Sequence, residues 1–364
     1  MLVPEIISFQ DALEIAAEYS SKKHLLLGNG FSISCRPDIF HYASLYTEAD
    51  FSKIPEIESV FEGLETQDFE HVIKTLENTA KLVRLYSPEM AAVSEKMGLH
   101  ASTLKEVLIS TVAQNHPALP SEIEEEKLWA CREFLSHFIG NAESKNNGYV
   151  FTLNYDLLLY WTLMNEGNPF AESKINLEKN DGFGNEFDNH DAEYVVWQGD
   201  SGAHGQTVVF LHGALHLFDA GSELQKFTWV RSGLPLIDQI RSAMDENKFP
   251  IFVSEGSSQQ KKDKIRHNAY LYQGSKFLNS NANQVRHCFF IFGHSLADND
   301  DHILLALARG KFRNLFISIY GDSESLSNQE IISKAERLKD ERSDRYPLDI
   351  YYYDADSANV WGTN

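Results

Sequence analysis

His24-Leu25-Leu26-Leu27-Gly28-Asn29-Gly30-Phe31-Ser32 is the stretch that decides the fold. A short apolar run stopped by two glycines reads as a buried strand entering a tight turn. Upstream, Phe9, Ala12, Leu13 and Ala16 recur at helical spacing. Downstream, further apolar runs lie at 148–152, 207–211, 250–253, 288–292, 315–319 and 349–353. Helical patterns at 157–164, 234–246, 259–278, 300–310 and 327–342 separate most of them. Strands alternating with helices predict an α/β fold, a Rossmann-like doubly wound and mostly parallel sheet.

Between 50 and 140 the pattern is helical and charged, with no convincing strand. We expect a helical insertion there, after the first strand, within one domain spanning 1–364. Residues 66–86 read as one helix. Residues 121–139 read as another, with Ser121 as N-cap and Glu124 at the capping-box position. The segment 167–205, rich in Asn, Asp and Gly, reads as a long loop of the functional or mobile kind.

The composition sets limits. Of 364 residues, 43% are hydrophobic and 23% charged, the profile of a globular chain with a sizeable core. The formal net charge of -21 opposes contact with nucleic-acid phosphates, so no direct nucleic-acid partner is expected. The basic run Lys261-Lys262-Asp263-Lys264-Ile265-Arg266 has the spacing of a solvated helix face. Cys35, Cys131 and Cys288 form no CxxC pair, so neither a zinc ribbon nor a disulfide framework is indicated. Met-Leu-Val-Pro-Glu has no basic leader character, and no window reaches the length of a membrane span. A cytoplasmic protein without membrane contact is the expectation.

Ligands of such sheets bind outside the carboxyl ends of the strands, so the residues after each apolar run matter most. Gly28, Asn29, Gly30 and Ser32 follow the first run; they suit either a diphosphate cradle or an ordinary tight turn. Asn154 and Asp156 follow the second; they suit either ribose and water contacts or a helix cap. His212 and Gly213 follow the third, where the imidazole is either a general base near neutral pH or a backbone-bonded structural group. His216 stands four residues on, but without a helix or an intervening Glu the pair does not suggest zinc. Gly293, Ser295 and Asp298 follow the fifth, either for phosphate and ribose or as a loop before a helix.

The joint order of these elements resembles the sirtuin superfamily, and especially its bacterial sirtuin-like branch. Gly28-Asn29-Gly30-Phe31-Ser32 looks like a degenerate glycine-alanine-glycine opening. Thr152-Leu153-Asn154-Tyr155-Asp156 is similar to the branch's Thr-x-Asn-Tyr-Asp, Leu211-His212-Gly213 to its His-Gly, and Gly293-His294-Ser295-Leu296 to its Gly-x-Ser-Leu. The four-cysteine zinc module of the deacylases has no counterpart, because no cysteine lies between Leu211 and His287.

The resemblance therefore implies an NAD+ hydrolase of the anti-phage defence type, with NAD+ as substrate and no zinc. It implies Asn154 and His212 as catalytic groups, with Asp156 supporting them. Gly28, Asn29, Gly30 and Ser32 would hold the diphosphate. Gly293, Ser295 and Asp298 would face the adenosine half. Restraint of such an activity implies a homo-oligomer or a co-encoded activating protein. The alternatives are an NAD+-dependent protein deacylase and a non-catalytic NAD+ or nucleotide sensor.

Overall fold

The computed structural model describes residues 4–140, 147–165, 175–185, 194–199, 205–228, 234–246, 248, 250–253 and 258–362. In chain order the strands are β1 (Ile6–Ile7), β2 (Lys22–Leu27), β3 (Val150–Thr152), β4 (Phe183–Gly184), β5 (Tyr194–Trp197), β6 (Val208–Phe210), β7 (Gly213–Asp219), β8 (Leu224–Phe227), β9 (Pro250–Phe252), β10 (His287–Phe292), β11 (Asn314–Ile319) and β12 (Asp349–Asp354).

Seven of them form one sheet in the order β1-β12-β11-β10-β2-β3-β6, and every neighbouring pair is parallel. From β2 the chain first adds β3 and β6 on one side. It then crosses back to lay β10, β11 and β12 on the other. The strand order reverses between β2 and β10, and such a reversal opens a crevice at the carboxyl ends of the two strands. The Rossmann-like α/β class read from the sequence is the architecture found.

The apolar runs are continuous because both faces of this sheet are covered. Leu25 and Leu27 belong to one buried core and Leu26 to the other. Phe290 and Phe292 alternate with Phe289 and Ile291 in the same way. On the first face lie the helices of the long insertion. On the second lie the helices Ala269–Ala282, Asp301–Ala308 and Leu326–Asp340.

The insertion is helical throughout, but it starts earlier than residue 50. Short helices at Gly30–Cys35, Pro37–Phe40 and Tyr42–Glu48 follow β2 directly. Phe69–Tyr86 and Ala91–Asn115 then pack as a long hairpin. The 121–139 reading needs correcting at its start. Pro120–Glu122 is a 3-10 turn, Ile123 is extended, and the helix runs Glu125–Ile139 with Glu124 at the N-cap position. Ser121 therefore caps nothing. Similarly, 259–278 is two helices, Ser258–His267 and Ala269–Ala282, because Asn268 is extended and its side chain accepts from Leu271 N at 3.1 Å.

A second sheet was not foreseen. β4, β5, β8, β7 and β9 form it in that order, all antiparallel. The run at 250–253, read as one more strand of the main sheet, supplies β9 here instead. The supposed loop 167–205 contains β4 and β5; its remaining described residues are 175–182, 185, 198, 199 and 205, and the rest lies outside the described residues. No helix among the described residues is long and apolar enough to cross a membrane.

Candidate active site

The floor of the crevice is made by two glycine turns that lock into each other. Gly28 N donates to Phe292 O at 2.9 Å and Gly30 N donates to Gly293 O at 2.8 Å. A Cβ on Gly28 would lie 2.6 Å from Gly293 O, and one on Gly30 would lie 2.6 Å from Gly293 Cα. Both distances are below any real contact. Gly293 adds a φ of 67°, in the left-handed region that glycine tolerates. Backbone meeting backbone is thus the first reason for these glycines.

Above this floor lies a cavity of ≈ 1270 Å³. Ligand pockets usually span roughly 300–1,000 Å³, so this one has room for a dinucleotide. Gly28, Asn29, Gly30, Asn154, Asp156, His212, Gly293 and Ser295 all line it. Ser32 and Asp298 do not. Ser32 is fully buried beneath the site, and Asp298 is an exposed carboxylate 3.8 Å from Arg337. Glu124 and Lys127 of the insertion and Trp361 near the C-terminus complete the walls. Trp361 is held by its Nε1–H, which donates to Phe31 O at 2.7 Å.

Ser32 joins Asn154 and Asp156, more than a hundred positions away, in a chain of hydrogen bonds. Asn154 Nδ2 donates to Ser32 Oγ at 2.8 Å, and Ser32 Oγ donates to Asp156 Oδ2 at 2.5 Å. The other oxygen of Asp156 accepts from Leu158 N at 2.9 Å and so caps the helix Leu158–Met164. Burial raises the Asp156 carboxyl above its ordinary range, against the Ser32 and backbone hydrogen bonds. Asp156 is therefore a cap and a clamp together. Asn154 spends its amide N–H on Ser32, which fixes the side chain and leaves Oδ1 for the cavity.

His212 ends the run at β6, and the chain turns at Gly213 with a φ of 82°. A Cβ on Gly213 would lie 1.9 Å from Ile251 O, so only glycine lets β9 pass behind the histidine. Burial lowers the His212 imidazole well below its ordinary value, and Lys261 adds to this against the opposing Asp300. A neutral imidazole is the form that can accept a proton. Its Nε2 meets Nε2 of His302 at 3.0 Å.

Behind that pair stands Asp300, with Oδ1 3.9 Å from His212 Nε2. Lys261 Nζ donates to Oδ1 at 2.8 Å. His294 contributes Nε2 at 3.1 Å from Oδ2, while its Nδ1 accepts from Leu296 N at 2.9 Å. That backbone bond makes Nε2 the protonated nitrogen, so His294 donates to Asp300. Burial works against ionisation of Asp300. The His294 hydrogen bond, Lys261 and His212 outweigh it and hold the carboxyl well below its usual range. The same bond to Leu296 N secures a left-handed Leu296, φ 52°, a conformation unfavourable for a branched residue.

Lys261, Asp300 and His302 carry roles that the sequence reading did not assign. Lys261 was placed on a solvated helix face, yet its side chain is 1% exposed. The signal was Ile265, one helical turn away and also buried, which marks the inward face. His302 sits on the helix Asp301–Ala308, where only the fold brings it to His212.

His212, His302 and Asp300 each place one possible metal-ligand atom within 4.8 Å of the others. The ring arrangement favours a hydrogen bond instead. The ring centroids are 5.2 Å apart, the planes are 17° apart and the Nε2 atoms are 3.0 Å apart. The rings thus meet head-on, with each Nε2 aimed at the other. Two imidazoles sharing one metal ion would converge on it at an angle. His216, by contrast, packs against Tyr160 and Phe210 and does not join His212.

The chain belongs to the DUF4917 family, a domain of unknown function, which it matches over residues 25–361. None of the curated proteins compared with the chain matches it.

Proposed function

We propose, for this member of the DUF4917 family, that the cavity binds NAD+ and hydrolyses its nicotinamide–ribose bond. The observation that carries the reading is the convergence of four separate motifs on one cavity at the reversal of a Rossmann-like sheet. The leaving nicotinamide departs from a cationic nitrogen, so no strong acid is required. The transition state is oxocarbenium-like, as in glycoside hydrolysis. In this reading Asn154 Oδ1 orients the water or a ribose hydroxyl, and neutral His212 takes the proton. Asp156 and Ser32 hold Asn154 in place. The Gly28–Gly30 and Gly293–Ser295 turns face the diphosphate and the adenosine half.

By its resemblance we further propose a cytoplasmic effector of anti-phage defence that empties the cell of NAD+. Such an activity requires restraint, by assembly or by a co-encoded protein. The test is to incubate the purified chain with NAD+, alone and with any co-encoded partner, and to follow nicotinamide and ADP-ribose by chromatography. A positioned base contributes about 10²–10⁴-fold in rate, so His212→Ala should lose at least the lower figure. Asn154→Ala should lose turnover and keep NAD+ binding. Release that persists unchanged in His212→Ala would remove the histidine from the reaction.

A further inference from the structure

The head-on meeting of His212 and His302 has a chemical consequence. Two neutral imidazoles with their Nε2 atoms at 3.0 Å can share only one hydrogen: one nitrogen carries it and the other accepts. Nε2 of His212 is thus committed, which leaves Nδ1 as the nitrogen for a ligand. In the familiar serine-type triad a carboxylate stands behind the histidine and does not itself take the proton. Here an imidazole stands there, and an imidazole can take it.

We infer that His302 is a positioning residue which fixes the tautomer of His212 and accepts its Nε2 proton when Nδ1 is protonated from the cavity side. The inference rests on the hydrolase reading for its function, though not for its geometry. The proton balance is simple. Water or a ribose hydroxyl gives one proton to His212 Nδ1. His212 Nε2–H moves toward His302 Nε2. The pair then carries one positive charge.

Burial and Lys261 oppose that charge, and Asp300 is the group that favours it on both rings. Asp300 Oδ1 stands 3.9 Å from His212 Nε2 and shares that oxygen with Lys261, so the charge on the pair stays transient. His294 donates to the second oxygen and keeps the carboxylate from turning. His302 is mostly buried and is not part of the cavity wall, so it acts through His212 rather than on the ligand.

The experiment uses the full chain labelled with ¹⁵N-histidine. Nitrogen spectra should show a protonated Nε2 on His212 and a bare one on His302, with a coupling across the hydrogen bond, and the opposite assignment would overturn the inference. In His302→Gln the amide oxygen can still accept from His212, so its tautomer should persist. In His302→Phe it should not. Where NAD+ is turned over, His302→Phe should lower kcat by about 10–100-fold with KM unchanged, the usual loss for a partner behind a working group, and His302→Gln should recover most of it.

Absence of the coupling, or His212 signals unchanged in His302→Phe, would overturn the inference. Full kcat in His302→Phe would do so too. A coupled pair in a chain that leaves NAD+ intact, with or without its partner, would support the pairing and sink the hydrolase reading instead. The parental spectrum decides the pairing even where a variant fails to fold.

Discussion

Gly213 shows how a single atom controls the site. Its φ of 82° and the 1.9 Å approach to Ile251 O leave no room for a methyl group. Gly213→Ala should combine a left-handed penalty with overpacking, for a loss of about 2–5 kcal/mol. Urea unfolding followed by far-UV circular dichroism would measure it. A midpoint equal to the parental value would mean that β9 yields without cost. The same glycine explains why the sequence signal at His212 was readable: the turn requires it, whatever the histidine does. Lys261 was not readable in that way. Its only local mark was Ile265 on the same helical face, and Asp300, its counterion, lies 39 positions along the chain.

At the scale of elements, the strands that could be read were those buried on both sides. β2, β10, β11 and β12 are long enough to show a continuous apolar run. β4 and β5 are short and only partly buried, and their partners are fixed by antiparallel pairing, so their stretch resembled loop. Residues 213–219 carried no strand reading, yet they form β7, because the tight turn at Gly213 redirects the chain into another sheet. Helix ends were misplaced where a polar residue merely looked like a cap, as at Ser121. Asn268 is a genuine one, and it separates the helix carrying Lys261 from the helix that covers the sheet. Asn268→Ala should therefore cost about 1 kcal/mol. Thermal melting would register the loss, and a melting temperature identical to the parental one would show that the cap bond to Leu271 N contributes nothing.

Across the molecule, burial keeps several imidazoles neutral. Burial lowers His116, His287 and His302 to about 4, and holds His24, His212 and His216 well below their ordinary 6.5. Above pH 6.5 these groups are neutral whether the chain is folded or not, so they leave stability flat. Below it the unfolded chain binds protons that the folded chain refuses. Stability should therefore fall between pH 6.5 and about 4, by up to about 1.4 kcal/mol per pH unit for each fully buried imidazole. Asp156 and Asp301, both raised by burial, oppose this weakly. Denaturant titrations at pH 7.5, 6 and 5 would check it. Constant stability over that range would contradict the burial of these side chains.

The order of the strands also bears on how the protein is made. β2 leaves the ribosome long before its neighbour β10 is translated: His24 bonds His287, 263 positions away. The interlocked glycine turns, the His212–His302 pair and the Trp361 wall all wait for that last third of the chain. A nascent or prematurely terminated chain has no crevice. If the finished protein consumes NAD+, the cell is spared that activity throughout synthesis by topology alone.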